Sequence, residues 1–439
     1  MENFRIAILG CGTVGGGVAR ILLDMKGELS KRGNKNIELV KIVDMFPKKS
    51  SDKHGIPLNL FCGNGEDLTK DDASKYINEI MNSKDIDLVV ETIGGSSEYI
   101  LNTVLSVLNS KKHLVTANKA LLAKYASIIF ETANKNQKII GFEASVCGAI
   151  PIIKVVKECF TGDEIILISG IMNGTSNYIL SNMVENGFSF DEALKLAQQK
   201  GYAESDPTLD INGGDASHKL SILIKLAFGV DVKIENISVS GIQGVSKEDL
   251  SFANEMDCKI KLICFAQKKN DSVYATVTPM MVKNSNFLSQ INGATNAVRV
   301  INKYSGENIL IGKGAGSLET GSAIVSDIVF ISKYSDKMSN VYSSSNYSIK
   351  DLNDFLFPYN ISFDTEDAPG ITGFITTEVG NQNINIDTVC HNRHSKETAI
   401  FSIATMPCTL SQINKVIEEI KKKRPDVLKS QPKIMPILY

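Results

Sequence analysis

The chain has 439 residues, enough for two or three domains that each bury a core of their own. Its 47 lysines and arginines are balanced by 49 aspartates and glutamates, so the sequence offers no basic surface for nucleic acid or anionic lipid. We expect no nucleic acid and no membrane as partners. Without a signal peptide or a long apolar span, the sequence predicts a cytoplasmic protein that acts on small molecules.

A short apolar strand at residues 5–9 leads into the turn GCGTVG and then into a helix that starts near Val14. The turn matches GxGxxG, in which glycines permit a tight bend and let the backbone approach a pyrophosphate at the free N–H groups of the helix. Strand, glycines and helix in this order predict a dinucleotide site. Its residues are Gly10, Gly12, Thr13, Val14 and Gly15.

The second predicted strand, residues 37–43, ends in Asp44. A carboxylate at this position can accept hydrogen bonds from an adenosine ribose, as in NAD enzymes. Lys48 and Lys49 follow and could instead meet the 2′-phosphate of NADP, or Asp44 could be only a turn residue before Pro47. The sequence therefore leaves NAD and NADP open.

Residues 86–91 and 113–116 are further apolar strands, each followed by a helical segment. This alternation predicts a doubly wound parallel sheet with helices on both faces, and ligands of such sheets bind at the carboxyl ends of the strands. Three clusters of candidate site residues follow those ends, at residues 92–97, 117–119 and 143–151, and the first begins with Thr92. Lys119 is either a solvated lysine at a helix start or a cation that holds a carboxylate or phosphate.

After Pro151 the pattern changes to a second, more open sheet. A strand over residues 163–172 ends in the polar segment NGTSN, residues 173–177, which we interpret as a turn that presents donors to a substrate. Glycine returns at residues 312–316, before a helical pattern at 320–331. We expect this helix to rejoin the first domain, with Gly316 close to the cofactor.

Four carboxylates lie before or at the start of a predicted helix, and one lysine lies in its first turn. Glu204, Asp206 and Asp210 lie in a loop, Asp215 is the predicted N-cap, and Lys219 follows one turn later. Lys219 borders the predicted apolar stripe Ala216, Leu220, Leu223, Ile224 and Ala227. A lysine between apolar neighbours and carboxylates has a proton affinity that can be tuned for acid–base chemistry. The alternative is a surface ion pair on a capped helix.

Six segments occur in one order between residues 8 and 220: ILGCGTVGGGV, VVETIGG, VTANKALLA, EASVCGAIPII, GIMNGTSNYIL and GYAESDPTLDINGGDASHKL. Together they resemble homoserine dehydrogenase, and the resemblance covers residues 4 to about 331. After a polar linker at 341–349, a tail with DAPGI and a strand–helix–strand–strand–helix pattern is similar to ACT modules, which bind amino acids. The resemblance implies an α/β fold in three parts. These are a Rossmann doubly wound parallel sheet over 1–150, completed by about 312–340; an α+β substrate-binding and dimerisation domain over 151–311; and a C-terminal βαββαβ ACT-like regulatory domain over 350–439.

The activity that the resemblance implies is NAD(P)-dependent interconversion of L-homoserine and L-aspartate 4-semialdehyde, on the route to threonine and methionine. Matched by motif, Lys219 would transfer the proton with Asp210 beside it, and Lys119 would lie between nicotinamide and substrate. The other implied substrate-binding residues are Glu204, Asp215, Gly174 and Thr175.

The resemblance also implies an ion, an effector and an assembly. A sodium or potassium ion would bind Glu143 and the main-chain oxygens of Val146, Gly148 and Ile150, in a loop where Cys147 stands in place of the family's usual glycine. ACT modules pair between chains, so we expect a homodimer or homotetramer. An amino-acid effector, with threonine as the first candidate, would bind near residues 367–372.

Two other functions remain open from the residues alone. In a thiol-dependent aldehyde dehydrogenase, Cys147 would form an acyl-enzyme, and it would need a base beside it. In a non-catalytic sensor, a nucleotide-binding domain would be coupled to an amino-acid-binding domain, and the carboxylates around Lys219 would have no catalytic role.

Overall fold

The computed structural model describes residues 1–335, 345–393 and 398–439. Residues 341–344 of the predicted linker, and residues 336–340 at the end of the segment expected to complete the first domain, lie outside the described residues. Among the described helices, none combines the length and apolar character that a membrane span requires.

The strands are β1 Asn3–Leu9, β2 Asn36–Val43, β3 Leu88–Glu91, β4 His113–Thr116, β5 Ile140–Gly141, β6 Ile165–Ile171, β7 Ser238–Val239, β8 Cys258–Lys269, β9 Ser272–Lys283, β10 Thr295–Asn302, β11 Gly306–Lys313, β12 Ser348–Lys350, β13 Tyr359–Glu366, β14 Ile386–Arg393, β15 Thr398–Thr405 and β16 Lys433–Leu438. The helices are α1 Thr13–Asp24, α2 Lys26–Gly33, α3 Pro47–His54, α4 Lys70–Asn82, α5 Glu98–Asn109, α6 Lys119–Lys135, α7 Ile152–Lys154, α8 Gly174–Glu185, α9 Phe190–Gln199, α10 Thr208–Ile211, α11 Gly214–Phe228, α12 Lys247–Glu255, α13 Ser317–Tyr334, α14 Ile371–Asn381 and α15 Leu410–Lys423.

The chain forms two compact units, each assembled from three separate segments. The first unit is Met1–Ile165, His218–Ile234 and Val300–Asn346. The second unit is Ile166–Ser217, Glu235–Arg299 and Tyr347–Tyr439.

A five-stranded parallel sheet forms the centre of the first unit, in the order β2-β1-β3-β4-β5. β3 and β4 are buried along their whole length, as expected for strands that helices cover on both faces. The parallel sheet predicted from the alternation of strands and helices is confirmed. Its strand order reverses between β1 and β3, which opens a crevice at the carboxyl ends of these strands.

Helix α13 belongs to the first unit although it follows α1 by about 300 residues. Ile324 and Ile328 of α13 lie in the same buried cluster as Val18 and Leu22 of α1. The two helices approach closely because Gly17 has no side chain: a Cβ there would collide with the carbonyl of Ser317. The core of the first unit is therefore complete only when α13 is in place.

The second unit is built on a mixed sheet. β8 and β9 form a long antiparallel hairpin, β6 pairs with the other side of β8, and β16 runs parallel to β9. The last elements follow the predicted βαββαβ order, β13-α14-β14-β15-α15-β16, and their strands lie in the order β16-β13-β15-β14. Because β16 pairs with both β13 and β9, one continuous sheet connects the C-terminal elements to the β8–β9 hairpin.

Candidate active site

The glycine-rich turn lies at the carboxyl edge of the parallel sheet. Gly10 has a φ of +88°, which favours glycine, and a Cβ there would lie 2.9 Å from the Thr92 carbonyl oxygen. Thr92 donates from its hydroxyl to the Gly10 carbonyl at 2.7 Å, so the loop after β3 is fastened to the turn after β1. Gly12, the residue before α1, faces open space and has no side chain to cap the helix. The first N–H groups of α1, from Thr13 to Gly15, can therefore serve an anion.

Asp44 braces this turn from the end of β2. Its carboxylate accepts the Cys11 N–H at 2.6 Å, the Phe46 N–H at 2.9 Å and the Ser50 hydroxyl at 3.0 Å. It is therefore more than a turn residue before Pro47. Lys48 and Lys49 follow and are both exposed.

A buried carboxylate that the sequence reading missed holds the loop after β3. Glu91 is fully buried and accepts the N–H groups of Ile93 at 2.9 Å and Gly94 at 3.0 Å, and the Thr116 hydroxyl at 2.7 Å. These bonds join the carboxyl ends of β3 and β4. No local pattern could have identified Glu91, because Thr116 reaches it only through strand pairing.

Asn118 fixes the neighbouring loop and the start of α6. Its side-chain amide donates to the Gly95 carbonyl at 2.7 Å, while its side-chain oxygen accepts the Leu121 N–H at 3.1 Å as the N-cap. Lys119 is the first residue of α6 and is half-buried. The structure therefore gathers Lys119, Thr92 and the glycine-rich turn at the edge where the strands of the first unit end.

Gly316 lies near the same turn. It adopts a φ of +139° just before α13, and the next residue, Ser317, donates from its hydroxyl to the Thr13 carbonyl at 2.6 Å. Gly316 as a neighbour of the cofactor stays a prediction.

Glu143 is the centre of a second buried cluster in the first unit. It is 2% exposed, and its carboxylate accepts the N–H groups of Ile153 at 2.7 Å and Lys154 at 2.9 Å. Burial, together with the negative charge of Asp327, raises the pKa of Glu143 to about 7. Asp327 accepts the Glu143 N–H at 2.9 Å and pairs with Lys154 at 2.9 Å.

The loop after Glu143 bends through left-handed backbone. Cys147 has a φ of +54° and Gly148 a φ of +46°. Glycine adopts such angles freely, whereas another residue is strained in them, so Cys147 stands at a position that would suit glycine. Hard oxygen donors such as the Glu143 carboxylate and the carbonyls of Val146, Gly148 and Ile150 are chemically suited to a monovalent cation. Among the described residues there is no group of three or more His, Cys, Asp or Glu side chains that could hold a metal ion.

In the second unit, one amide brings two carboxylates together. The Asn173 side-chain nitrogen donates to Asp210 at 2.7 Å and to Asp215 at 2.8 Å. Its side-chain oxygen accepts the Ser176 N–H at 2.8 Å, so Asn173 is also the N-cap of α8. Asn173 and Asp215 are 4% and 7% exposed, and this burial fixes the geometry of the pair.

This capping corrects the interpretation of residues 173–177 as a polar turn. Gly174 and Thr175 form the first turn of α8, because the Asn173 cap starts the helix there. Thr175 donates from its hydroxyl to the Tyr202 carbonyl at 2.6 Å. Glu204 is exposed, and its main-chain oxygen accepts a hydrogen bond from the Gln198 side chain at 3.2 Å. Of the predicted loop carboxylates, Asp210 and Asp215 are therefore adjacent, whereas Glu204 is not part of that pair.

Helix α11 carries the candidate proton-transfer group. It begins at Gly214, so Asp215 lies in the first turn and is not the N-cap that the sequence predicted. Lys219, four residues after Asp215 on the same helix, is only 8% exposed. The burial of both side chains argues against a surface ion pair.

Two family models match most of the chain. Residues 10–143 match the model described as homoserine dehydrogenase, NAD binding domain, and residues 151–329 match the model described as homoserine dehydrogenase. The homoserine dehydrogenase of Neisseria gonorrhoeae is 36% identical over 398 residues, which cover 89% of this chain and 88% of that protein. The Bacillus subtilis enzyme is 36% identical over 335 residues, which cover 76% of this chain and 74% of that protein.

Solved structures agree over the whole length. The structure of a homoserine dehydrogenase from Thiobacillus denitrificans aligns with a TM-score of 0.90 at 31% identity, and the alignment covers 100% of this chain and 98% of that one. The structure of the Staphylococcus aureus enzyme aligns with a TM-score of 0.76 at 29% identity, and the alignment covers 100% of this chain and 99% of that one. Since relatives above 30% identity span nearly the full chain and both family models match in order, this chain belongs to the homoserine dehydrogenase family.

Proposed function

We propose that this protein catalyses the reversible, NAD(P)-dependent interconversion of L-homoserine and L-aspartate 4-semialdehyde, a step towards threonine and methionine. The observation that carries the proposal is the pair of carboxylates, Asp210 and Asp215, that share the Asn173 amide. Two adjacent carboxylates attract a cation, and the ammonium of an amino-acid substrate is a cation of suitable size. Glu204 is the third carboxylate assigned to the substrate.

Reduction of the aldehyde requires a proton donor at its oxygen. A bound nicotinamide cofactor would supply the hydride for the carbonyl carbon, and negative charge would develop on the carbonyl oxygen as the hydride arrives. Lys219 donates a hydrogen bond to that oxygen and then the proton that makes it a hydroxyl, while Asp210 orients the lysine or a water. In the direction of oxidation, Lys219 accepts the same proton. The burial of Lys219 supports this role, because a hydrogen bond from a sheltered ammonium is stronger than one from a solvated ammonium.

The carboxylate of the substrate needs hydrogen-bond donors or a cation to bind it. We assign Lys119 to the space between nicotinamide and substrate, and Gly174 and Thr175 to the substrate itself through the first turn of α8. Helix starts offer N–H groups to anions, and α8 is twelve residues long.

We assign the cofactor to the edge of the parallel sheet, with the pyrophosphate on the turn formed by Gly10, Gly12, Thr13, Val14 and Gly15. Thr92 and Gly316 border that site. An ionised carboxylate has about four acceptor positions, and Asp44 uses three of them within the protein. One position is therefore left for a ribose hydroxyl of NAD, while Lys48 and Lys49 suit the phosphate of NADP. A comparison of kcat/KM with NADH and NADPH decides between the two cofactors.

Three further features belong to the proposal. Glu143 with the carbonyls of Val146, Gly148 and Ile150 binds sodium or potassium, which the burial of the Glu143 carboxylate favours. The C-terminal βαββαβ elements act as an ACT-like module for an amino-acid effector, threonine being the first to test by calorimetry. The protein assembles as a homodimer or homotetramer, which light scattering measures.

Lys219→Ala tests the assignment of the proton-transfer group. Loss of an acid–base group lowers turnover by a factor on the order of 100 to 10,000, so we expect such a loss in kcat with little change in the Kd of the cofactor. Turnover close to that of the wild type would refute the role of Lys219.

Cys147→Ser is the matched control for Lys219→Ala, because it tests the alternative thiol mechanism. The thiol-dependent mechanism requires complete loss of turnover in this variant, whereas the lysine mechanism predicts activity close to the wild type. A wild-type protein that binds the cofactor but does not turn over homoserine would instead favour the sensor.

A further inference from the structure

A lysine ammonium lies buried among neutral oxygen atoms in the second unit. Lys261 is on β8, is 2% exposed, and donates to the Ile291 carbonyl at 2.6 Å, to the Asn292 side-chain oxygen at 3.1 Å and to the Asn177 side-chain oxygen at 3.2 Å. In the part of the chain that the structure describes, no carboxylate lies within ion-pair distance of it. A buried ammonium without a counter-ion is costly, so its contribution to stability does not explain its presence.

The three acceptors belong to one loop and the helix beside it. Asn177, on α8, donates from its side-chain amide to the carbonyls of Ile291 at 3.1 Å, Gly293 at 2.9 Å and Thr295 at 3.3 Å. Lys261 and Asn177 therefore both bind residues 291–295 and are hydrogen-bonded to each other.

This loop rests against the first turn of α8. A Cβ on Gly174 would lie 2.7 Å from the Ala294 carbonyl oxygen, so the loop and the helix start are in direct contact. Gly174 follows Asn173, the residue that holds Asp210 and Asp215. A shift of the loop would therefore be passed to Asn173 and to the two carboxylates.

We infer that Lys261 is a positioning residue for the carboxylate pair, and that it acts through the 291–295 loop and the start of α8. The inference rests on the proposed function, since it assumes that Asp210 and Asp215 bind the substrate. Lys261 itself touches neither substrate nor cofactor. A long cationic donor suits the task because it can satisfy acceptors on two different elements at once.

Lys261→Met tests the inference, because methionine fills similar space without the three hydrogen bonds. We expect the KM for homoserine to rise 10- to 100-fold, with the Kd of the cofactor within twofold of the wild type and a melting temperature that is unchanged or higher. A merely structural role would reduce the active fraction, and hence kcat, without a change in KM. Kinetic constants equal to those of the wild type would overturn the inference.

Two further variants complete the test. Lys259→Met, two residues earlier on β8, removes a charge from the same strand but leaves the three acceptors in place, and we expect an unchanged KM. Asn292→Ala removes one acceptor on an exposed residue, so it tests the inference even if Lys261→Met does not fold. We expect Asn292→Ala to raise the KM for homoserine less than Lys261→Met does. An unchanged KM in Asn292→Ala would count against the positioning role of Lys261.

Asp210→Asn separates this inference from the proposed function. If Asp210→Asn leaves the KM for homoserine unchanged, the proposed substrate site is wrong. If Asp210→Asn raises the KM and Lys261→Met does not, only the positioning role fails.

Discussion

Lys261 makes the stability of the protein depend on pH. Burial is the main cause that lowers the pKa of Lys261 to about 8, with a smaller effect of Lys259, while Glu185 opposes the shift. Between about pH 8 and 10.5 the unfolded chain therefore binds a proton that the folded chain does not. In that window the free energy of unfolding rises with pH, and below about pH 8 the full cost of the buried charge is present.

Lys261→Met should remove this pH dependence. One pKa unit corresponds to about 1.4 kcal/mol, so from pH 7 to pH 10 we expect the wild type to gain roughly 2–3 kcal/mol relative to the variant. Urea unfolding of both proteins at several pH values measures the difference. Lys259→Met should keep most of the pH dependence, because burial is the main cause of the lowered pKa of Lys261. If the free energies of unfolding of the wild type and of Lys261→Met differ by the same amount at every pH in this range, Lys261 is not a buried lysine with a lowered pKa.

Sequence alone located the residues whose role depends on a local motif. The glycine-rich turn and Asp44 were predicted in their places, because strand, turn and helix define them within one stretch of chain. Glu91 and Lys261 were not predicted. Glu91 looks like the end of an apolar strand and Lys261 like one charge in another strand, and their partners become neighbours only through tertiary structure.

At the level of elements, α8 shows how a cap changes a prediction. The segment NGTSN has the composition of a turn, because asparagine, glycine, serine and threonine are all turn formers. Residues with that composition also begin helices, and the Asn173 side chain satisfies the Ser176 N–H. The two outcomes differ only in whether the following residues continue as a helix, as they do in α8.

Asn173 performs two tasks, and two substitutions separate them. Asn173→Ser keeps a capping oxygen but loses the amide that binds Asp210 and Asp215. Asn173→Ala loses both. Since a lost N-cap costs about 1 kcal/mol, we expect Asn173→Ala to unfold at a lower temperature than Asn173→Ser. We also expect the KM for homoserine to rise at least tenfold in both variants.

Ser189→Ala is the matched control for Asn173. Ser189 caps α9 in the same unit through a capping box with Glu192, and it does not contact the carboxylate pair. Thermal unfolding should show a loss similar to that of a missing cap, while the KM stays at the wild-type value. An unchanged KM in Asn173→Ser would exclude the role of the shared amide in substrate binding.

At the level of the whole molecule, the C-terminal elements are built into the second unit. Ile437 of β16 lies opposite Met281 of β9, and the Phe357 ring meets the Phe265 ring at 5.4 Å. The polar segment before these elements suggested a detachable domain, and composition gave no sign of the pairing between β16 and β9. Strand pairing over this distance in sequence cannot be read from local patterns.

Removal of residues 347–439 should therefore destabilise the second unit. The truncated chain would leave β9 without β16 and would expose Phe265, and uncovered strand edges favour aggregation. We expect a lower melting temperature and a tendency to aggregate. Val389→Ser is the control, because Val389 is 44% exposed on β14 and its change uncovers no strand. A truncated protein that melts with the wild type would show that the shared sheet is not needed for stability.

The late position of α13 has a consequence for protein synthesis. Ser317 bonds to Thr13 across 304 residues, so the side of α1 that meets α13 lacks this partner while the intervening chain is being translated. At the usual rates of synthesis the wait lasts roughly 15 to 60 s. During that time the nascent cofactor-binding unit exposes the side of α1 that α13 later covers, a surface that ribosome-associated chaperones can bind. The unit can close only once the ribosome has released α13.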